Sequence, residues 1–198
     1  MRKLVIATGN QHKLTEMKRL FKDVPFEIVG QNEIGEFAEV EETGTTFKEN
    51  AEIKALGVSR FCDEYVLADD SGLVVDALGG EPGINSARYL GHDTSYTYKN
   101  QVIVDRLKGV TDRSARFVCA ISLCKGNDVV YTVEETFEGE IIHESLGSEG
   151  FGYDPIFFYP PMNMTSAQMT MEQKNEVSHR GKAIRKIITY LLENVHED

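Results

Sequence analysis

Apolar runs and helix-periodic segments alternate along the first third of this chain. Short apolar runs and apolar residues at helical spacing predict strands over residues 3–8, 26–29 and 65–68 and helices over residues 11–22 and 47–63. Thr45 or Thr46 can cap the second helix, because a threonine hydroxyl accepts from free N–H groups of the first turn. Residues 32–44 are polar and acidic and predict a loop. This β-α-β alternation is typical of a sheet whose strands are joined by helices.

Extended runs dominate the middle of the chain. The pattern predicts a strand over 73–76, a helix over 94–108, strands over 115–124, 129–137 and 156–159, and a helix over 180–195. Gly126-Asn127 joins two of these strands and is typical of a β-hairpin turn. Thr170 and Gln173 have capping-box spacing and predict a short helix between the last strand and the last helix. Early helices and a later hairpin together predict an α/β fold with a mixed sheet.

Length, charge and cysteine content narrow the function classes. A chain of 198 residues with 41% hydrophobic residues is long enough for one globular domain, which we expect to span residues 1–198. The net charge of −11 disfavours nucleic acid and anionic membranes as partners. The N-terminus lacks the pattern of a signal peptide, and no run is long and apolar enough to cross a membrane. Three cysteines without a Cys-x-x-Cys pair indicate reduced thiols, and we expect a cytoplasmic location.

Two adjacent carboxylates, Asp69 and Asp70, follow the apolar run at residues 65–68. Ser71 and Gly72 come next, and the glycine permits a turn, so the strand is predicted to end here. Carboxylates at the end of a strand can hold a hard divalent cation such as Mg²⁺. The alternative is an ordinary acidic turn.

A polar junction between the first strand and the first helix is a candidate phosphate site. Free N–H groups at the start of a helix bind phosphate, a glycine lets the ligand approach, and a lysine adds charge. An ordinary turn capped by Asn10 is the alternative. The candidate residues are Thr8, Gly9, Asn10, Gln11, His12 and Lys13.

A second acidic pair, Glu41 and Glu42, precedes the helix predicted over residues 47–63. It is either a source of metal ligands or a pair that favourably meets the helix dipole. Lys54 lies on that helix and is either a ligand-binding cation or an ordinary solvated lysine.

Two glycines flank an aromatic residue further along the chain, which predicts an exposed ring able to stack on a nucleobase. The segment comprises Gly150, Phe151, Gly152, Tyr153 and Asp154, and a simple hairpin turn would look similar.

Positive charge is concentrated at Lys174, His179 and Arg180, which are suitable donors for phosphate and carbonyl oxygens. Ser178, next to them, can equally cap the last helix.

Together these segments resemble the inosine triphosphate pyrophosphatase family, most closely its bacterial dITP/XTP pyrophosphatase branch. The resemblance extends from residue 3 to about residue 192. The segments that carry it are Thr8-Gly9-Asn10-x-x-Lys13-x-x-Glu16, Glu41-Glu42-Thr43-Gly44-x-x-Phe47-x-x-Asn50-Ala51, Ala68-Asp69-Asp70-Ser71-Gly72-Leu73, Gly83-Ile84-x-Ser86-Ala87-Arg88, Gly150-Phe151-Gly152-Tyr153-Asp154-Pro155-Ile156-Phe157 and Ser178-His179-Arg180.

The resemblance implies an elongated mixed α/β sheet with flanking helices and two lobes around a central cleft. It also implies a homodimer that depends on Mg²⁺. The implied reaction is hydrolysis of non-standard purine nucleoside triphosphates (ITP, dITP and XTP) to the monophosphate and pyrophosphate.

The resemblance also assigns roles to residues. Asp70 matches the catalytic base and metal ligand, and Ser71 a substrate contact beside it. Asp69 is either a second ligand or a support, and the metal-binding glutamate falls at Glu41 or Glu42, of which we favour Glu42. Residues matching substrate contacts are Thr8, Gly9, Asn10, Gln11, His12, Lys13, Lys54, Phe151, Gly152, Tyr153, Asp154, Lys174, His179 and Arg180.

Two other functions stay open at this point. One is a related pyrophosphatase that acts on modified pyrimidines or methylated nucleotides through the same metal chemistry. The other is a regulatory module that senses a triphosphate without hydrolysing it. The neighbouring aspartates disfavour the sensor, because they repel a triphosphate unless a cation bridges them.

Overall fold

A computed structural model describes residues 2–195 of the chain and contains both helices and strands. The strands are β1 (Arg2–Ile6), β2 (Phe26–Gly30), β3 (Tyr65–Val75), β4 (Ser114–Lys125), β5 (Asp128–Ile141), β6 (Phe157–Tyr159) and β7 (Met164–Thr165). The helices are α1 (Gln11–Leu20), α2 (Gln31–Ile34), α3 (Phe47–Ser59), α4 (Tyr96–Arg106), α5 (Met171–Val177) and α6 (His179–Asn194). Short 3₁₀ turns lie at Asp76–Leu78, Gly83–Asn85, Asp154–Ile156, Pro160–Met162 and Ser166–Gln168.

The seven strands are hydrogen-bonded in the order β2-β1-β3-β4-β5-β6-β7. β1 pairs in parallel with both β2 and β3, whereas β6 pairs antiparallel with β5 and β7. The sheet is therefore mixed, as the early helices and the later hairpin predict. No helix among residues 2–195 combines the length and hydropathy needed to cross a membrane.

Most predicted elements are confirmed. Thr46 caps α3, because its hydroxyl accepts from the Glu49 N–H, and Thr170 caps α5 through its capping box with Gln173. Gly126, with φ +59°, turns the chain between β4 and β5. Part of the acidic segment predicted as a loop is instead the short helix α2, where the Glu33 carboxylate accepts from the Gly30 N–H.

The prediction that a strand ends before Asp69 is wrong. β3 continues without interruption from Tyr65 to Val75, so Asp69 and Asp70 lie inside a strand. Both are buried, at 3% and 7% exposure. The charge pattern resembled a turn, but the carboxylates are tolerated inside the sheet because lysines reach them from helices.

The described chain divides into two compact units. Unit 1 comprises residues 1–70, 119–135 and 181–198, and unit 2 comprises residues 71–118 and 136–180. Residues 1 and 196–198 lie outside the described part of unit 1. Strands β3, β4 and β5 each contribute residues to both units.

In unit 1 the alternation of side chains along the strands separates two apolar layers. Leu67 of β3 packs in one layer with residues of α1 and α6, whereas Val66 and Ala68 pack in the other with residues of α3. Successive side chains of a strand point to opposite faces, which accounts for this division. Ile184, Ile187 and Leu191 of α6 are buried in the first layer, whereas Leu192 is exposed.

Unit 2 has its own core, in which aromatic rings are prominent. Phe117, Phe137 and Phe157 pack together, with ring centroids 4.6 Å and 5.0 Å apart for the two pairs that include Phe157. Tyr153, from the segment at residues 150–154, is buried in the same core.

Gly57 of α3 allows the acidic segment before the helix to pack closely. A Cβ atom at Gly57 would lie 2.3 Å from a methyl carbon of Val40. We expect Gly57→Ala to lower the free energy of unfolding by about 1–3 kcal/mol net, because overpacking outweighs the gain in helix propensity. Urea unfolding measures this, and Gly57→Ala combined with Val40→Ala should recover most of the loss. Stabilisation by Gly57→Ala alone would contradict the close contact.

Candidate functional site

The junction between β1 and α1 is shaped by side chains that cap the helix. Asn10 accepts hydrogen bonds from the N–H groups of His12 and Lys13, at 2.9 Å and 3.2 Å. The Thr8 hydroxyl accepts from the Asn10 N–H. Gly9, Gln11 and His12 are exposed, and a Cβ at Gly9 would meet no atom within 4 Å. Space beside this glycine is therefore open to a ligand.

Asp69 and Asp70 contact different lysines because they follow one another in a strand. Asp69 continues the side of β3 that faces α1, and its Oδ2 lies 3.0 Å from the Lys13 Nζ. Asp70 continues the side that faces α3, and its Oδ1 lies 3.1 Å from the Lys54 Nζ. The acidic dipeptide is thus divided between two helices, each of which supplies one ammonium group.

Lys54 joins two carboxylates from distant parts of the sequence. Its Nζ lies 3.2 Å from an oxygen of Glu42 as well as 3.1 Å from Asp70. The second oxygen of Asp70, Oδ2, is buried and has no hydrogen-bond partner among residues 2–195. Glu42 and Asp70 therefore converge on a cation, and one carboxylate oxygen remains available.

The electrostatics of this cluster shift two pKa values upward. Burial by itself would lower the pKa of Lys54, but Asp69, Asp70 and Glu42 outweigh it and raise that pKa. Burial also raises the pKa of Asp70, and Glu42 and Asp69 raise it further, against the opposing effect of Lys54. Three carboxylates act on the Lys54 ammonium, so its raised pKa keeps it charged. The raised pKa of Asp70 means that burial disfavours its ionised form.

The structure separates the two candidate glutamates. Glu41 is exposed, whereas Glu42 is half-buried and contacts Lys54. Between residues 2 and 195, no group of three or more His, Cys, Asp or Glu side chains is arranged to hold a metal ion. Mg²⁺ commonly uses only one or two protein carboxylates and takes its other ligands from water and substrate phosphates. Glu42, Asp70 and the unpartnered oxygen fit that mode of binding.

In unit 2 the loop at residues 150–154 presents an aromatic ring. Phe151 is 49% exposed, while Tyr153 and Asp154 are buried. The Asp154 Oδ2 accepts from the Phe151 N–H at 2.8 Å and from the Lys174 Nζ at 2.6 Å. A Cβ at Gly150 would lie 2.2 Å from that same oxygen, so only glycine fits there.

Two cations lie near the exposed ring. The Lys174 Nζ is 5.2 Å and the Arg180 guanidinium carbon 5.9 Å from the centroid of Phe151. Arg180 also donates to the Ser71 hydroxyl at 3.1 Å. The ring and its neighbouring donors form a surface suited to a flat, oxygen-bearing heterocycle.

His179 begins α6 and is stacked on an aromatic side chain. Its ring lies 5.1 Å from that of Phe117, with an interplanar angle of 14°. Tyr153 differs from the other candidates of this segment, because its ring is buried and its hydroxyl donates to the Ser86 carbonyl. It supports the loop from inside the core of unit 2.

The chain is similar to known proteins over most of its length. A family model described as the Ham1 family matches residues 4–190. The chain belongs to the Ham1 family. The resemblance found in the sequence is confirmed, because curated relatives named dITP/XTP pyrophosphatase match nearly the whole chain.

Relatives and solved structures match this Ham1 chain over nearly all of the given sequence. The dITP/XTP pyrophosphatase of Desulforamulus reducens is 45% identical over 96% of this chain and 95% of that protein. A HAM1 protein from Coxiella burnetii has a TM-score of 0.90 at 38% identity, covering 98% of this chain and 100% of that one. The Staphylococcus aureus Ham1 protein has a TM-score of 0.89 at 41% identity, covering 97% and 99%.

Two residues, one in each unit, contact the candidate segments although the sequence patterns give them no role. Asn50 lies in a quoted segment, and its Oδ1 accepts from the Gly44 N–H at 2.8 Å, which fixes the end of the acidic segment. Phe117 stacks on His179, but it is one apolar residue in a strand of many, and nothing local distinguishes it. The first could be found from its motif, the second only from the tertiary contact.

Asp70 should reduce the stability of the metal-free protein. Because its pKa is raised on folding, its ionised form is destabilising at neutral pH, and neutral Asn removes that cost. We therefore expect Asp70→Asn to increase the free energy of unfolding at pH 7. The increase should shrink as pH falls through the raised pKa, where the wild-type carboxyl takes up a proton.

Urea unfolding in EDTA at several pH values measures both effects. Asp93→Asn, at an exposed aspartate, is the control and should change stability by less than about 0.5 kcal/mol. An Asp70→Asn protein less stable than wild type at neutral pH would contradict the electrostatic account.

Proposed function

We propose that this chain hydrolyses non-standard purine nucleoside triphosphates (ITP, dITP and XTP) to the monophosphate and pyrophosphate. The observation that carries the proposal is the convergence of Glu42 and Asp70 on one cation, with an Asp70 oxygen left unpartnered. An acidic protein needs such a site to bind a polyanion, because bare carboxylates repel phosphate. The relatives named dITP/XTP pyrophosphatase supply the substrate class.

Glu42 and Asp70 would hold Mg²⁺, with Asp69 as a support that keeps Lys13 in place. When bound, the ion supplies charge neutralisation of the phosphates and lowers the pKa of water. Glu41 is exposed and has no role in this proposal.

Lys13 and Lys54 are the two cations of unit 1 that would bind the phosphates. Lys13 and Lys54 are each held by an aspartate at about hydrogen-bond distance. With Glu42 and Asp70 engaged by a dication, Lys54 would be available to the triphosphate, and Lys13, which Asp69 keeps in place, would donate through its remaining N–H groups. The open space beside Gly9 lets a phosphate approach the backbone at the start of α1.

Asp70 handles the proton of the attacking water. The water oxygen bonds to the α-phosphorus in line with the α–β bridging oxygen, which leaves with pyrophosphate. The Asp70 carboxylate, whose Oδ2 has no hydrogen-bond partner among residues 2–195, accepts the proton that the water loses.

Residues of unit 2 recognise the base. Phe151 offers the stacking face, and Lys174, His179 and Arg180 supply donors for an oxygen at the 6-position of the purine. Adenine carries an amino donor there, which would leave the buried donors unpaired. We also propose that the protein is a homodimer, which rests on the family resemblance, and that it is cytoplasmic, which rests on its cysteine content.

A panel of nucleoside triphosphates tests the proposal. With Mg²⁺ we expect ITP, dITP and XTP to yield pyrophosphate, ATP to react far more slowly, and EDTA to abolish turnover. Asp70→Asn should reduce kcat by about a thousandfold or more, since about 1.4 kcal/mol corresponds to each decade. Chromatography separates pyrophosphate from orthophosphate. Binding without hydrolysis would favour the sensor, and preference for dUTP or methylated nucleotides would favour the related pyrophosphatase.

Arg180 should set the preference for a 6-oxo base. We expect Arg180→Ala to lower the ratio of kcat/KM for ITP over ATP by at least about tenfold, because the donor to the 6-oxygen is lost. Arg185→Ala, at an exposed arginine of the same helix, is the matched control. An unchanged ratio in Arg180→Ala would remove this residue from base selection.

A further inference from the structure

Asn100 is a buried polar residue that the proposed function does not use. It lies in α4 with 3% exposure, and its Nδ2 donates to the Gly152 carbonyl at 3.1 Å. Its Oδ1 is also buried and has no hydrogen-bond partner within the described residues. A buried amide with half of its capacity unused is costly, so the single bond that it makes calls for a reason.

The carbonyl that Asn100 holds belongs to an unusually free part of the backbone. Gly150 and Gly152 have φ of +73° and +68°, a region that glycine enters without strain. The peptide between Gly152 and Tyr153 lies outside any helix or strand that could fix its orientation. The orientation of the Gly152 carbonyl is therefore set by its contacts, among them the bond from Asn100, and not by a side chain at Gly152.

The loop is anchored on both sides of Phe151. On one side, the Asp154 carboxylate accepts from the Phe151 N–H and from Lys174. On the other side, Asn100 holds the carbonyl of the next residue, Gly152. The exposed ring of Phe151 therefore lies between two peptide groups that are held by side chains, the N–H of Phe151 and the carbonyl of Gly152.

Helix α4 is a rigid support for the second anchor. Lys99 is 1% exposed, and its Nζ donates to the Ala87 carbonyl at 2.8 Å. Tyr96 packs edge-on against Tyr153, with ring centroids 5.2 Å apart. Both contacts tie α4 to neighbouring segments of unit 2 and keep Asn100 in register with the loop.

We propose that Asn100 is a positioning residue for base recognition. By holding the Gly152 carbonyl, it fixes the peptide orientation that presents the face of Phe151 to the purine. This inference rests on the proposed function for its substrate, whereas the hold on the loop can be measured without any nucleotide.

The test removes the Nδ2 donor of Asn100 in two ways. Asn100→Asp keeps the shape but sets an acceptor against the Gly152 carbonyl, and Asn100→Leu removes the donor without adding charge. Gln101→Glu makes the same amide-to-carboxylate change at the next, exposed residue of α4. It also removes one amide donor, to Asp105, away from the loop, and is the matched control. All four proteins are first compared by thermal unfolding.

Hydrogen–deuterium exchange measures the hold on the loop. We expect both Asn100 variants to speed exchange in peptides covering residues 150–154 by about tenfold, the effect of losing one hydrogen bond to a buried carbonyl. Exchange at the hairpin turn of residues 126–127 should not change. Unchanged loop exchange, or equal acceleration at both places, would overturn the proposal.

Kinetics measure the consequence for the base. We expect the KM for ITP to rise about tenfold with kcat changed less, while inhibition by pyrophosphate, which has no base, stays as in wild type. Equal weakening of ITP and pyrophosphate would also overturn the positioning role. If wild-type protein does not hydrolyse ITP, the proposed function fails, and the exchange measurement still decides whether Asn100 holds the loop.

Discussion

In each unit, the candidate residues depend on the pairing of buried aspartates with lysines. Asp69 is held by Lys13, Asp70 by Lys54 and Asp154 by Lys174, at 3.0, 3.1 and 2.6 Å. Each pair makes burial of a carboxylate tolerable, since an unpaired buried charge costs several kcal/mol. The same pairs hold three lysines of this acidic chain in fixed positions, where their ammonium groups could bind a phosphate or a base oxygen.

Strand β3 shows how these pairs constrain the fold of unit 1. A one-residue shift in its register would turn Leu67 toward the α3 layer and Asp69 away from Lys13. Apolar packing and ion pairing therefore select the same register. The consequence is that Asp70 always faces α3, where Lys54 and Glu42 meet it.

In unit 2 the corresponding constraint is backbone geometry. Gly150 must lack a side chain because the Asp154 carboxylate occupies the space, and Gly152 adopts a left-handed conformation. Conformational freedom at these glycines would leave the ring of Phe151 without a fixed orientation. Buried contacts from Asp154 and from α4 restrict it, so that the exposed ring of Phe151 has a defined orientation.

The sequence by itself determined the order of the elements apart from α2, β7 and the continuous β3, the cap at Thr170, and the family resemblance. These depend on local patterns, namely periodicity, turn residues and contiguous motifs. Only the tertiary structure decided that β3 runs through Asp69 and Asp70, because the lysines that permit this come from helices distant in sequence. It also separated Glu42 from Glu41, and it revealed Phe117 and Asn100, since the direction of a side chain and its partner across the core leave no mark on a local pattern.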